Sequence, residues 1–282
     1  MNIEMKRLEI GSPGDTQSNP ALELAAGLIG ALGKAKVLPL RPQDAALLEG
    51  LETFRFEANN SRLAWSVGSG PVVILVHGYS GRGVQMAALA RTLAEKGFRC
   101  VFFDAGGHGA SETEKIGFST FMTDTRDIIA HLGEPVHALI GHSAGALAFM
   151  RARALFGIRA RKYAVISAPL FPYVPLATMR GKGAPEQSLD YVKAVLSDQF
   201  QMSWASLVKG ESFAWEEGKE ILAIYDTEDP RVRHTDADEI GRLWPGTNIF
   251  KTSGYGHNRI LKAPEVLEAV AEFRETVTVR VG

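Results

Sequence analysis

Uninterrupted apolar runs recur along this chain from about residue 70 onwards. They cover residues 72–76, 100–103, 136–140, 163–166, 221–225 and 248–250. A strand that is buried on both faces of a parallel sheet is apolar at successive positions, whereas a half-buried strand alternates apolar and polar residues. We therefore predict that these runs are the strands of a mostly parallel sheet.

Amphipathic patterns at helical spacing separate most of these runs. They cover residues 84–96, 118–132, 144–156, 235–243 and 264–275. Before the first run, Phe54 and Phe56 and then Leu63 and Trp65 alternate with polar neighbours, which predicts a hairpin that turns at residues 58–61. The alternation of strands and helices predicts an α/β fold, with a mostly parallel eight-stranded sheet that is flanked by helices.

The first 50 residues depart from this alternation. Residues 11–20 are rich in turn-forming residues, and apolar residues then recur at helical spacing between residues 22 and 32. We predict that residues 1–50 form an N-terminal arm with a short helix, which packs on the main body.

A second departure lies between two predicted strands. Residues 171–218 are far longer than a crossover helix requires, and they include seven aromatic residues. A long aromatic insertion at one end of a sheet is typical of a substrate-covering segment. We predict that residues 171–218 form a small helical lid, and that residues 51–170 and 219–282 form the body of the domain. The alternative is that residues 171–218 are extra helices that pack elsewhere.

Composition and charge exclude several classes of protein. The 282 residues include 31 basic and 32 acidic side chains, a formal net charge of −1, so the basic excess typical of nucleic-acid-binding proteins is missing. Residues 1–20 lack the apolar core of a secretory signal, and residues 21–40 carry too many charges and glycines to span a bilayer. The single cysteine, Cys100, has no second thiol for a disulfide or a cysteine-based metal site. We expect a cytoplasmic protein without nucleic-acid partners or stable membrane insertion.

The strongest candidate for chemistry is the sequence Gly141-His142-Ser143-Ala144-Gly145, which lies between a predicted strand and a predicted helix. Small residues on both sides allow a sharp strand-to-helix turn, which exposes the serine in a strained conformation. A serine hydroxyl is a weak nucleophile at neutral pH, so it needs a base, and the base needs an acidic partner. We predict that Ser143 is a nucleophile.

The base is expected in a loop after a later strand, because an open α/β sheet binds its ligands at the carboxyl ends of its strands. His234 and His257 are the two histidines that follow Ser143. His257 lies in a glycine-rich loop just after the run 248–250, whereas His234 directly precedes a predicted helix and is suited to capping it. We predict His257 as the base, with His234 as the alternative.

The acid is expected between the nucleophile and the base. Asp226, Glu228 and Asp229 follow the run 221–225 within a few positions. Asp229 lies a few residues beyond the strand end and is followed by Pro230, so it can reach back towards a neighbouring loop, whereas Asp226 is too close to the strand end. We predict Asp229 as the acid and keep Asp226 and Glu228 as further candidates.

Backbone N–H groups must also stabilise the oxyanion of a tetrahedral intermediate. Ala144 lies in the first turn of the helix after the nucleophile, so its N–H lacks an acceptor within that helix. The glycine-rich turn at residues 77–81 follows the run 72–76 and can direct a second N–H to the same place. The positive end of the helix dipole adds to this stabilisation.

Taken in chain order, these motifs resemble those of the α/β-hydrolase superfamily from about residue 53 to about residue 275. Within that superfamily, the chain is similar to small serine esterases of the bacterial type. The motif H-G-[WY]-x-G-R-G matches residues 77–83, and the motif G-H-x-R-I-L matches residues 256–261. The turn at residues 103–111 also has its counterpart in the superfamily.

The resemblance implies the α/β-hydrolase fold and a serine hydrolase that cleaves a carboxylic ester or thioester of a small molecule. It implies a catalytic triad of Ser143, Asp229 and His257, with the backbone N–H groups of Tyr79 and Ala144 as oxyanion donors. No metal or organic cofactor is expected to take part. Two further hypotheses are a ligand receptor or slow sensor that keeps the triad, and an acyltransferase.

Overall fold

A single sheet forms the frame of the molecule. A computed structural model of the protein describes residue 27 and residues 39–58, 61–111 and 117–273. Within these residues, eight strands form one sheet in the order β1-β2-β4-β3-β5-β6-β7-β8. The strands are β1 (Glu52–Glu57), β2 (Ser61–Val67), β3 (Val72–Val76), β4 (Arg99–Phe103), β5 (Val136–His142), β6 (Ala160–Ile166), β7 (Glu220–Asp226) and β8 (Asn248–Thr252).

The pairing of the strands confirms the predicted, mostly parallel sheet. β1 and β2 form an antiparallel hairpin, and β2 pairs antiparallel with β4. The remaining neighbours, from β4 through β3 and β5 to β8, are all parallel. All five residues of β3 are buried, because both faces of this central strand are covered. The carboxyl ends of the parallel strands meet at one edge of the sheet.

Helices connect the strands and cover the sheet. In the described part of the chain they are α1 (Pro42–Ala45), α2 (Ala87–Glu95), α3 (Phe118–Leu132), α4 (Ser143–Phe156), α5 (Leu176–Gly181), α6 (Glu186–Phe200), α7 (Trp204–Val208), α8 (Asp236–Leu243), α9 (Gly256–Arg259) and α10 (Pro264–Glu272). Gly133 after α3 and Gly157 after α4 have φ angles of 63° and 68°. A residue without a Cβ adopts this left-handed conformation at little cost, so each glycine ends its helix.

Two hydrophobic cores lie on opposite faces of the sheet. On one face, Ile74 of β3 belongs to a core that includes Phe149 of α4. On the other face, Leu75 of β3 belongs to a core that includes Leu89 of α2. Because successive residues of a strand point to opposite faces, one strand contributes to both cores. The result is the predicted architecture of a sheet between two layers of helices.

The segment at residues 171–218 is helical and contains α5, α6 and α7. The ring of Phe200, the last residue of α6, lies 4.8 Å from the ring of Phe118 of α3, measured between centroids. Arg151 of α4 donates hydrogen bonds to the backbone carbonyls of Phe200 and Gln201. These contacts attach the segment to α3 and α4, the helices on one face of the sheet.

The predicted helix at residues 84–96 begins differently from the prediction. A 3₁₀ turn covers Gly83–Met86, and the α-helix begins only at Ala87 and ends at Glu95. The N–H of Gly83 donates to Asp104 Oδ1 at 2.7 Å, which ties the start of this stretch to the turn after β4. This tertiary contact, which the local pattern does not contain, accompanies the tighter first turn.

Some predictions concern residues outside the described ranges. They are the turn-rich arm at residues 11–20, most of the short helix between residues 22 and 32, the hairpin tip at residues 59–60 and the last two positions of the helix predicted at 264–275. The division into arm, body and lid stays a prediction. Among the described helices, none has the length and apolar character needed to cross a bilayer.

Candidate active site

The turn between β5 and α4 brings Ser143 to the carboxyl edge of the sheet. β5 ends at His142, and α4 begins at Ser143, whose φ angle of 51° lies in the left-handed region. A residue with a side chain holds this conformation only when its surroundings enforce it, and such strain is frequent at functional sites. Ser143 as a whole remains partly exposed.

Glycine is required on both sides of this turn. A Cβ atom at Gly141 would lie 2.5 Å from Cε1 of Phe149, and a Cβ atom at Gly145 would lie 2.1 Å from the backbone oxygen of His77. Both distances are shorter than van der Waals contact allows. The turn can therefore approach its neighbours this closely only because both positions lack a side chain.

Ser143, His257 and Asp229 form a continuous chain of hydrogen bonds. Oγ of Ser143 lies 3.0 Å from Nε2 of His257, and Nδ1 of His257 lies 2.7 Å from Oδ2 of Asp229. An ionised carboxylate only accepts hydrogen bonds, so the neutral imidazole carries its proton on Nδ1, and Nε2 accepts the hydroxyl proton. The structure thus brings together the three residues that the sequence analysis selected.

Asp229 is held as an ionised acceptor. Its Oδ1 accepts hydrogen bonds from the backbone N–H groups of Arg231, at 2.8 Å, and Val232, at 3.1 Å. Burial by itself raises the pKa of this carboxyl group, but hydrogen bonds from His257 and from the two amides outweigh burial, so the pKa of Asp229 lies below its ordinary value. A negative charge is therefore present beside His257 at neutral pH.

Asp226, also a candidate for the acid, has a different set of contacts. Its carboxylate accepts hydrogen bonds from the hydroxyl of Thr252, at 2.9 Å, and from the backbone N–H groups of Tyr255 and Glu228, both at 3.0 Å. These bonds tie the end of β7 to the end of β8 and to the loop that carries the predicted base. Asp226 thus connects backbone segments around the site.

Glu228 and His234 were the remaining candidates for the acid and the base. Glu228 is exposed and accepts a hydrogen bond from the hydroxyl of Ser253 at 2.7 Å. His257, and not His234, is the histidine that is hydrogen-bonded to Ser143. The contacts of the described residues therefore favour Asp229 and His257 for the two roles.

The predicted oxyanion turn lies directly against the nucleophile turn. A Cβ atom at Gly78 would lie 3.0 Å from Cβ of Ser143. The N–H of Ser80 donates to Nε2 of His108 at 3.1 Å, and the N–H of Gly81 donates to the carbonyl of Gly78 at 2.9 Å. These two amides are already engaged, so neither is available to a substrate oxygen.

Tyr79 and Ala144 belong to the two turns that meet here. Ala144 is the second residue of α4, where a backbone N–H has no acceptor within the helix. Tyr79 is half-buried, and its ring lies edge-on to the ring of His108 with 5.7 Å between centroids. Their assignment as oxyanion donors stays a prediction.

Two buried histidines, neither of which was predicted to be catalytic, brace the oxyanion turn. Nδ1 of His77 lies 2.7 Å from the carbonyl oxygen of Gly78, and its Nε2 accepts the N–H of Ala105 at 3.0 Å. His108 accepts the N–H of Ser80. Burial, with a smaller contribution from the neighbouring His108, lowers the pKa of His77 to about 3, so the ring is neutral and free to accept. The only sequence signal for both residues is their place in glycine-rich turns directly after strands.

An open depression of about 390 Å³ lies beside the base. Glu228, Pro230 and Arg231 line one side of it, and residues 254–259, which include α9 and His257, line the other. The sequence analysis placed His257 in a loop, whereas the structure places it in the short helix α9. The seam between the acid loop and the histidine loop is therefore open to solvent.

The model of a protein family described as "Serine aminopeptidase, S33" matches residues 69–231. This match includes the oxyanion turn, the nucleophile turn and the acid loop. It ends before the loop of His257.

Relatives and solved structures extend this similarity. The non-heme chloroperoxidase CPO-A1 of Kitasatospora aureofaciens is 26% identical over 146 residues, which are 51% of this chain and 53% of that protein. The soluble epoxide hydrolase of Corynebacterium sp. strain C12 is 34% identical over 87 residues, 30% of each protein. The chain thus spans about half the length, or less, of the curated relatives that it matches.

Similarity in three dimensions is more extensive. The esterase Pf2001 of Pyrococcus furiosus superposes with a TM-score of 0.61 and 19% sequence identity, over 86% of this chain and 97% of that one. At this identity, the likeness is one of fold.

Proposed function

This chain belongs to the S33 serine aminopeptidase family of α/β-hydrolases, and from that premise we propose that it is a serine hydrolase that cleaves a carboxylic ester or thioester through an acyl-enzyme intermediate. The observation that carries the proposal is the hydrogen-bond chain Ser143–His257–Asp229, with distances of 3.0 and 2.7 Å. A partly exposed nucleophile at the start of that chain supports it further.

In the first half of the reaction, Oγ of Ser143 attacks the carbonyl carbon of the substrate while Nε2 of His257 takes the hydroxyl proton. The carbonyl double bond opens to an oxyanion. When the carbonyl re-forms, the bond to the leaving group breaks, and His257 gives its proton to the departing alcohol or thiol. The product of this half-reaction is an ester between Ser143 and the acyl group.

Water resolves the acyl-enzyme in the second half. His257 takes a proton from the water molecule as its oxygen attacks the acyl carbon, and it then returns that proton to Oγ of Ser143.

Two groups of the site are proposed to stabilise the charges that form during the reaction, the imidazolium of His257 and the oxyanion of the substrate. Asp229 stabilises the imidazolium that forms on His257, and its lowered pKa supports this role. The backbone N–H groups of Tyr79 and Ala144 are proposed to bind the oxyanion, with the positive end of α4 adding to the field.

The nucleophile distinguishes this proposal from other chemistries of the fold. The soluble epoxide hydrolase relative suggests ring opening. The epoxide hydrolases of the superfamily that this sequence resembles use an aspartate as the nucleophile, however, and position 143 is a serine. The family description names an aminopeptidase, and the same machinery can cleave an amide, so a nitroanilide belongs among the test substrates.

We further propose that residues 171–218 form a lid over an acyl-binding pocket, and that residues 51–170 and 219–282 form the catalytic body. The helical character of the insertion and its attachment to α3 and α4 support this division. The aromatic content of the insertion favours a small or medium acyl group.

The proposal is tested by steady-state hydrolysis of nitrophenyl esters that range from acetate to laurate, a nitrophenyl thioester and a nitroanilide. We expect the wild type to turn over at least one ester, and Ser143→Ala to lower kcat by about 10⁴- to 10⁶-fold. Near-full activity in the Ser143→Ala variant would show that Ser143 is not the nucleophile.

The same assay separates hydrolysis from the receptor and acyltransferase hypotheses. Covalent labelling of Ser143 by a fluorophosphonate without turnover of any substrate favours a receptor or slow sensor. Faster release of nitrophenol with added alcohol, together with a new ester product, favours an acyltransferase.

A further inference from the structure

His142, the residue directly before the nucleophile, contacts the backbone of the base. Nε2 of His142 lies 2.8 Å from the carbonyl oxygen of His257, across 115 positions of sequence. The ring of His142 is buried, and its centroid lies 4.7 Å from the centroid of the His257 ring. None of the roles assigned above uses this contact.

The chemistry of the two atoms fixes the tautomer of His142. A carbonyl oxygen only accepts, so the proton must be on Nε2, which donates, and Nδ1 must carry a lone pair. Burial, with a smaller contribution from the neighbouring His257, lowers the pKa of His142 to about 3, so the ring stays neutral near pH 7. Among the described residues, Nδ1 of His142 is buried without a hydrogen-bond partner. The ring is thus held through Nε2 alone.

Other side chains hold the residues that precede the base. Asp226 accepts the backbone N–H of Tyr255 at 3.0 Å. Arg259 donates to the carbonyls of Tyr255, at 3.0 Å, and Gly254, at 2.8 Å. Both sets of bonds act before residue 257 in the loop, whereas the bond from His142 acts at the backbone of His257 itself.

His257 is therefore held both at its ring and at its main chain. Its two nitrogens bond to Ser143 and Asp229, and its main chain bonds to His142. A proton transfer between Ser143 and His257 depends steeply on their separation, and displacements of about 1 Å from changes outside the reacting atoms cost about 100-fold in rate.

We propose that His142 is a positioning residue: by holding the backbone carbonyl of His257, it sets the imidazole at hydrogen-bonding distance from Ser143. This inference rests on the proposed function, since it concerns the same nucleophile and base. His142 touches neither substrate nor reacting atoms in this role.

Two substitutions at position 142 separate the hydrogen bond from the bulk of the ring. The amide nitrogen of glutamine reaches the place of Nε2, so His142→Gln keeps a donor to the carbonyl. The amide of asparagine reaches only the place of Nδ1, so His142→Asn loses that donor. His137→Asn is the matched control, because His137 lies on the same strand and packs against Phe98 at the opposite end of β5.

The readouts are the second-order rate of labelling by a fluorophosphonate and the separate values of kcat and KM for a nitrophenyl ester. We expect His142→Asn to lower kcat and the labelling rate by about 10- to 100-fold, with little change in KM. His142→Gln should recover most of that loss, and His137→Asn should keep the wild-type labelling rate.

A labelling rate for His142→Asn equal to that of the wild type, with the wild type reactive, overturns the positioning role alone. A wild type that is neither labelled nor active on any ester overturns the proposed function and this inference together. If His142→Asn does not fold, ¹⁵N NMR of the wild type decides: a proton on Nε2 of His142, hydrogen-bonded to the carbonyl, supports the inference, and a proton on Nδ1 overturns it.

Discussion

Two aspartates only three positions apart have different partners at the end of β7. Asp229 faces the ring of His257, whereas Asp226 accepts hydrogen bonds from the hydroxyl of Thr252 and from backbone amides. For Asp226, burial raises the pKa but the hydrogen bonds lower it more, so this carboxyl group is also ionised at neutral pH. Charge alone does not separate the two residues; the identity of their partners does.

This difference predicts that the two substitutions to asparagine affect different properties, activity in one case and stability in the other. Asp229→Asn should lower kcat by about 10³- to 10⁴-fold, because an amide donates to Nδ1 of His257 and reverses its tautomer. Asp226→Asn should lower the free energy of unfolding by about 1–3 kcal/mol, because one backbone or hydroxyl donor loses its acceptor. Steady-state kinetics and urea unfolding on both variants measure these effects. A larger loss of kcat in Asp226→Asn would reverse the assignment of the acid.

At the turn between β5 and α4, a tertiary contact outweighs the helix propensity of a single residue. Alanine is the better helix former by about 1 kcal/mol, so propensity alone predicts that Gly145→Ala stabilises α4. A Cβ atom at this position would lie 2.1 Å from the backbone oxygen of His77, however, and backbone atoms of a β-strand end cannot easily move. The close approach of the oxyanion turn therefore decides the sign of the effect.

We predict that Gly145→Ala lowers the free energy of unfolding by about 1–3 kcal/mol. It should also lower kcat by about 10-fold or more, because the two turns of the site move apart. Gly241→Ala in α8 is the control: its Cβ would lie 3.1 Å from Cδ1 of Ile249, the end of a side chain that is 38% exposed and can shift. Chemical denaturation and ester hydrolysis test both variants. Wild-type stability and activity in Gly145→Ala would contradict this interpretation of the turn.

Sequence analysis predicts best those strands that are buried along their whole length. The apolar run at residues 72–76 predicts β3 with its observed bounds, because a strand covered on both faces is apolar throughout. The start of the next helix is not predictable in the same way. It coincides with a hydrogen bond from Gly83 to Asp104, whose partners lie 21 positions apart and leave no periodic pattern.

The whole site is assembled from distant segments at one edge of the sheet. Residue types and loop positions predict Ser143, Asp229 and His257, with Asp226, Glu228 and His234 as alternatives, because the carboxyl ends of parallel strands lie at one edge of the sheet. They do not identify the contact from His142 to the base, which spans 115 positions and uses a backbone oxygen that any residue type supplies. Contacts to main-chain atoms leave no compositional trace, so only a structure can reveal them.

Buried neutral histidines make the stability of the whole molecule dependent on pH. The pKa values of His77 and His142 are about 3 in the folded protein, against about 6.5 in an unfolded chain. Between these values the unfolded state binds more protons than the folded state, so stability is highest above about pH 6.5 and falls as the pH decreases through this window. Burial raises the pKa values of Asp104 and Asp124, which oppose this trend at lower pH.

We predict that the free energy of unfolding falls by about 2–3 kcal/mol between about pH 7 and about pH 5.5, from these two histidines together. Urea unfolding at several pH values measures this decrease. In the His142→Gln variant the decrease should be smaller by about 1 kcal/mol, since the contribution of His142 is gone, whereas His77, His108 and His137, whose pKa values burial also lowers, keep theirs. An equal free energy of unfolding at both pH values would contradict the neutral, buried state of these rings.

Every step of the proposed reaction depends on Ser143 being the reactive nucleophile of this fold. The most direct test is to label the wild-type protein with a fluorophosphonate and to locate the adduct by tandem mass spectrometry of its peptides. We predict a single adduct on Ser143, and a labelling rate that falls by about 10³-fold or more in His257→Gln. The absence of any adduct would contradict the role of Ser143 as the nucleophile. So would an adduct on another strained serine, such as the exposed Ser80, with Ser143 unmodified.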